Sequence, residues 1–139
     1  MWFRTFLRVS GLVKYLGMPA SRSPALRAHL QPRHKLWFNW NGAFLMGPRY
    51  LRFLEAVEDT GTIRAAGRAV GWSYRTCLNR IRAMERVLGA KVLVTSRGGA
   101  TRGGARLSAE ARRLVRLFAR WRREALRLSD VAFRKIVRR

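Results

Sequence analysis

Between Thr60 and Glu85 the chain holds two apolar patterns of helical period, broken once by Gly71-Trp72-Ser73. In the first, Ile63, Ala66 and Val70 recur at helical spacing, and Ala65, Ala66 and Gly67 leave one side small enough for another helix to cross closely. Thr62 stands where a side-chain oxygen can accept from the free N–H groups of that helix's first turn. In the second pattern Cys77, Ile81, Met84 and Leu88 form an inward line. Arg75, Asn79, Arg82 and Arg86 follow the same progression on another face, with Thr76 and Arg80 beside them. Gly71 can take the left-handed conformation that ends a helix, and Ser73 can cap the next one. Two helices joined by a short glycine-containing turn, the second opening outward with Ser73, Tyr74, Arg75 and Thr76, make a helix-turn-helix pattern. The pattern points to double-stranded DNA, because base-edge contacts in the major groove are made from the start of such a second helix. A merely solvated basic face is the competing reading, and the residues that follow weigh against it.

Those residues have the pattern of a wing. Lys91 to Ser96 is a short β-favouring run, the loop Arg97 to Ala105 is rich in glycine, and Arg106-Leu107 is a second short strand. Ser108 then caps a helix whose positive end carries Glu110. Glycines let the loop backbone approach a sugar-phosphate chain, and Arg97 and Arg102 supply positive charge. A nucleotide-phosphate loop would need Lys and Ser/Thr after its last glycine, where this chain has Ala105 and Arg106.

On either side of this region stand two apolar surfaces. The strand Leu36 to Asn41 alternates Leu36, Phe38 and Trp40 with Trp37, Asn39 and Asn41, and is expected to pair with the wing hairpin in one small antiparallel sheet. Beyond the wing, Leu114, Leu117, Phe118, Trp121, Ala125 and Leu128 form a stripe on a helix of at least five turns, too long for a small domain to cover alone. A second subunit is the expected cover, with Leu114, Leu117, Phe118, Trp121 and Leu128 at the interface; folding back onto the N-terminal strand is the alternative.

Residues Lys35 to Arg127 resemble the N-terminal DNA-binding domain of the molybdate-responsive ModE regulators, itself similar to the winged domain of LysR-type regulators. The resemblance rests on Leu36-Trp-Phe-Asn-Trp, on Gly47-Pro-Arg-Tyr-Leu-Arg-Phe-Leu-Glu-Ala-Val-Glu-Asp-Thr-Gly-Thr-Ile, on Ala65-Ala66, Gly71-Trp-Ser-Tyr-Arg and Ala83-Met-Glu, and on the wing Gly98-Gly99 and Gly103-Gly104-Ala-Arg-Leu-Ser. The wing ending in Ala-Arg-Leu-Ser favours ModE over a generic LysR-type domain. The resemblance implies helices at Pro48 to Thr60, Thr62 to Val70 and Ser73 to Leu88, a wing, and a long dimer-forming helix from Ser108. It also implies a homodimer on pseudo-palindromic promoter DNA. ModE-like regulators carry a C-terminal molybdate-binding region of small β-barrel domains, whereas this sequence reaches Arg139 in arginine-rich helical sequence. The expectation is therefore a regulator lacking the molybdate-binding domain and not binding molybdate directly.

Thirty Lys and Arg against seven Asp and Glu give a formal charge of +23, which suits a polyanionic partner. Charge alone would equally fit a sequence-independent, nucleoid-type nucleic-acid binder, but such a protein has no need of the residues that open the second helix. Twenty-six of the thirty are arginines, a bias that a GC-rich genome also produces. The single cysteine, Cys77, excludes an internal disulfide and reads as a packed thiol. The carboxylates are scattered among arginines, and the two histidines, His29 and His34, lie outside the expected fold, so neither a catalytic site, a metal site nor a cofactor is expected. Residues 1–34, basic and turn-rich, read as a disordered or adventitious extension, with an amphipathic membrane or transit segment as the other reading; arginines and Lys14 interrupt the apolar run of a spanning helix. The expectation is thus a mainly α winged helix-turn-helix protein over 35–128, with a small antiparallel sheet, a long C-terminal dimerisation helix and a basic helical tail over 129–139. It is expected to be a cytoplasmic, nucleoid-associated transcription regulator and not an enzyme. The residues expected at DNA are Thr62, Ser73, Tyr74, Arg75, Thr76, Asn79, Arg80, Arg82, Arg97 and Arg102.

Overall fold

A computed structural model describes residues 29–96 and 104–138. Residues Arg33–Leu128 form one compact unit, and Ser129 onward belongs to another. The fold opens with a hairpin of β1 (Phe38–Trp40) and β2 (Ala43–Met46), paired antiparallel with Trp40 opposite Ala43 and an irregularity between Phe38 and Asn39. Asn41 and Gly42 both have positive φ, 47° and 81°, as a two-residue hairpin turn of matching twist requires.

Three helices follow. α1 (Pro48–Thr60) starts with proline at its first turn and buries Tyr50, Leu51, Phe53, Leu54 and Val57, one face of a 3.6-residue period. α2 (Ile63–Val70) begins where the Thr62 hydroxyl accepts from the Ala65 N–H at 3.2 Å, and ends at Gly71 in the left-handed conformation. α3 (Tyr74–Leu88) begins where Ser73 Oγ accepts from the Thr76 N–H at 3.1 Å, and ends at Gly89. It buries Cys77, Ile81 and Met84, with Leu88 packed at the core's edge. The helix boundaries thus follow the capping residues.

β3 (Leu93–Thr95) and β4 (Ala105–Leu107) pair antiparallel, Leu93 against Leu107, at the base of the wing. Two carboxylates hold this hairpin to the helices. Glu85 accepts from the Val92 N–H at 3.0 Å, and Glu58 accepts from the Leu107 N–H at 2.7 Å. Gly61 O also accepts from the Ala105 N–H at 2.7 Å. Ser108 caps α4 (Ala109–Val137), its Oγ accepting from the Ala111 N–H at 3.1 Å.

The mainly helical winged fold is as expected, with two corrections. The N-terminal strand does not join the wing. It pairs with β2, and β1–β2 and β3–β4 are separate two-stranded sheets. Phe118, expected at a subunit interface, is fully buried within its own chain, its ring edge-on to Phe38 with centroids 4.9 Å apart. Phe38 also contacts Trp121 at 5.0 Å, so part of the α4 stripe is covered by the N-terminal strand. Leu117 and Leu128 remain 60% and 58% exposed, Trp121 is 38% exposed, and Leu114 packs at the core's edge.

Candidate nucleic-acid interface

The geometry of the site is set from its buried side. A Cβ on Gly67 would come within 2.7 Å of Cys77 Sγ and 2.9 Å of the Trp72 carbonyl oxygen, so only glycine lets α2 cross α3 this closely. The turn between them is held by the Trp72 N–H donating to Gly67 O at 2.8 Å and by Gly71 N–H donating to Arg68 O at 3.2 Å. Arg49 reaches across from α1. Its Nε and Nη2 donate to Val70 O at 3.0 and 2.6 Å, and Nη2 also to Gly71 O at 3.2 Å, occupying carbonyls left free at the end of α2. Trp72 sits beneath this guanidinium and joins Phe44, Tyr50 and Phe53 in a run of ring contacts at 5.2–5.3 Å. Burial pushes the Cys77 thiol up, with a backbone hydrogen bond opposing in part, so the sulfur is held protonated and acts as packing.

With α3 fixed in this way, its outward side is free for a partner. Tyr74 is 46% exposed, and Arg75, Asn79, Arg80 and Arg82 are exposed. Arg75 and Asn79 make no side-chain hydrogen bond or ion pair among the described residues. The other residues expected at DNA have local duties as well. Thr62 and Ser73 cap helices, and Ser73 Oγ lies 2.8 Å from Thr76 Oγ1. Arg80 stands over the Tyr50 ring at 5.9 Å, and Arg82 lines a shallow cleft with Glu85, Arg86 and Lys91. Arg97 and Arg102 lie outside the described residues.

Sequence reasoning passed over three cations here. Arg64 and Arg68, one turn apart on the outward face of α2, line a groove of about 630 Å³ that runs between the starts of α2 and α3 and the base of the wing at Thr95 and Ser96. Arg64 stacks over the Tyr74 ring at 5.3 Å, which steadies both side chains. The spacing 64, 68 against Ile63, Ala66 and Val70 held this signal. Arg49 gave none, because its partners are carbonyls of a distant helix. The positive end of α2 adds to Arg64 and Arg68, so the groove is electropositive and of a size to admit a phosphate group. Among the described residues no three His, Cys, Asp or Glu gather as a metal site, and no helix is long and apolar enough to cross a membrane.

Residues 48–112, from the first residue of α1 to the first turn of α4, match the family model of the bacterial regulatory helix-turn-helix proteins, lysR family. They resemble a LysR-type helix-turn-helix domain. The chain is similar to the molybdenum-pterin-binding protein MopB of Rhodobacter capsulatus, 37% identical over 70 residues that make up 50% of this chain and 26% of MopB. It is 32% identical to MopA of the same organism over 53% of this chain and 28% of that protein. It is 28% identical to the transcriptional regulator ModE of Haemophilus influenzae over 55% of this chain and 30% of ModE. The aligned stretch spans between a quarter and a third of the length of those relatives. That family model is one of bacterial regulatory helix-turn-helix proteins, and ModE is a transcriptional regulator.

Proposed function

We propose that this chain binds double-stranded DNA sequence-specifically as a homodimer and regulates transcription, seating α3 in the major groove. The observation that carries the reading is the division of labour on α3. Cys77, Ile81 and Met84 are locked into the core, while Arg75 and Asn79, on the opposite side of its first turns, are exposed without partners of their own. Arginine matches the paired acceptors of guanine and asparagine the donor and acceptor of adenine, so these two are the base readers, with Tyr74, Thr76 and Arg80 on bases or flanking phosphates. Ser73 and Thr62 act mainly through the caps that aim the helices. Arg64 and Arg68, together with Arg82 and the wing's Arg97 and Arg102, take backbone phosphates and fix the register.

The dimer forms through Leu117, Trp121 and Leu128 on α4, with Leu114 at the rim and Phe118 beneath as core. It sets two recognition helices about 34–36 Å apart, or a multiple of that, as successive major grooves require. The protein works in the cytoplasm on the nucleoid. It does not sense molybdate directly: the cations of its groove are solvated and would hold sulfate or phosphate equally well, and a hydrated oxyanion needs a preformed cage of donors. Titration of molybdate against sulfate at constant ionic strength is expected to leave DNA affinity equal in both.

Selection of bound sites from a random duplex pool tests the central reading. Enrichment of a two-fold motif supports it, and retention of all sequences alike replaces it with a charge-driven, nucleoid-type binder.

A further inference from the structure

The body of α4 carries a second charged surface that lies apart from the helix-turn-helix. Arg113, Arg116, Arg120, Arg123 and Arg127 are spaced by three and four residues in turn, and all five are exposed. At 3.6 residues per turn they fall within about 40° of one line, on the side of the helix opposite the buried Phe118, and the line is about 21 Å long. The acidic residues of this part of α4, Glu110 and Glu124, lie off the line. Glu124 pairs with Arg127 at 3.0 Å, and the other four arginines form no ion pair among the described residues. Arg112 differs from them, being turned toward Glu58 at 3.9 Å.

Like charges three and four residues apart oppose helix formation, and solubility calls for charges of both signs mixed. A genome rich in G and C explains arginine in place of lysine, but not the alignment. Leu117 and Leu128 sit about a quarter turn round the helix from this line, so a dimer closed through them leaves the arginines open.

We infer that this arginine line is a second, sequence-independent surface for duplex DNA, binding its phosphate backbone. Successive arginines stand about 5.4 Å apart, one helical turn, and duplex DNA offers about one negative charge per 1.7 Å of its axis, so each guanidinium has a phosphate within reach. Release of the counterions those phosphates hold supplies the binding free energy. The surface acts whether or not α3 reads bases.

The test uses the full chain and a random-sequence duplex, comparing the parent with R116Q/R120Q/R123Q and R116K/R120K/R123K, with helix content and Tm measured for each. The glutamine variant is expected to lower the slope of log affinity against log salt by roughly two to three, and the lysine variant to keep it, since phosphate responds to charge. R116Q/R123Q takes the place of the triple variant if that fails to fold. An unchanged slope in the glutamine variant overturns the inference, as does a loss seen with single-stranded RNA and not with duplex DNA. The motif recovered by site selection is expected to be the same in parent and variant, so failure of α3 to select a motif and failure of the α4 line give different results.

Discussion

Arg49 donates two hydrogen bonds to the carbonyl of Val70, from Nη2 at 2.6 Å and from Nε at 3.0 Å. The residue that fastens the end of α2 therefore lies in α1, outside the helix-turn-helix, and the turn before α3 is held in tertiary contact. Replacing it by alanine is expected to cost about 1.5–3 kcal/mol of stability, the range for hydrogen bonds to a charged group. Lysine is expected to restore little, because an ammonium lacks the planar fork. Urea denaturation of the three proteins checks this, and equal midpoints for arginine and alanine would remove Arg49 from the frame.

Gly67→Ala adds a methyl group at 2.7 Å from Cys77 Sγ and 2.9 Å from the Trp72 carbonyl oxygen. Alanine is the better helix former by about 0.8–1.0 kcal/mol, but overpacking costs about 1–3 kcal/mol and is expected to prevail. Cys77→Ala in the same chain clears one of the two collisions and is expected to recover part of the loss, a coupling that a double-mutant cycle measures.

Arg75→Ala is expected to weaken binding to the selected site by about 1–3 kcal/mol while leaving random duplex nearly unaffected. Competition between the two duplexes separates the outcomes. Equal loss on both would make Arg75 a phosphate anchor.

Replacement of Arg97 and Arg102 by glutamine is expected to weaken binding to every duplex and to lower the salt slope by about one for each phosphate that is no longer neutralised. An unchanged slope would mean that the wing stays clear of DNA.

Leu117→Glu with Leu128→Glu is expected to shift light scattering from dimer to monomer at micromolar concentration and to abolish binding to paired half-sites before single ones. Both positions are largely exposed, so the fold is expected to survive. A parent that scatters as a monomer with full operator affinity would dismiss the interface.

The helices are legible in the sequence because their ends are written in local chemistry. Thr62, Gly71, Ser73, Gly89 and Ser108 each act through backbone groups a few residues away. The small strands are legible only in part. Asn41-Gly42 is a strong hairpin signal, yet the strand preceding it reads as a partner for the wing, because the run Ala43–Met46 is short and does not alternate. The stripe on α4 is apolar as its spacing indicates but not uniformly free, since periodicity reports that a residue is covered and not by what, and Phe38 covers Phe118. In the candidate interface the outward residues of α3 follow from its inward ones. The Arg49 clamp joins residues 21 apart, and no spacing rule within one helix reveals it.

The glycine at 67 has a consequence for how proteins of this shape change. The crossing of α2 and α3 is fixed where Gly67 meets Cys77 and Trp72, while Arg75 and Asn79 stand exposed on the other side of α3. If α3 reads bases as proposed, a substitution at either is expected to alter the DNA sequence preferred without altering where the helix stands, so binding preference could drift among descendants of this chain one residue at a time. A change at 67 would shift α3 itself, and on the proposed reading would disturb every base and phosphate position at once.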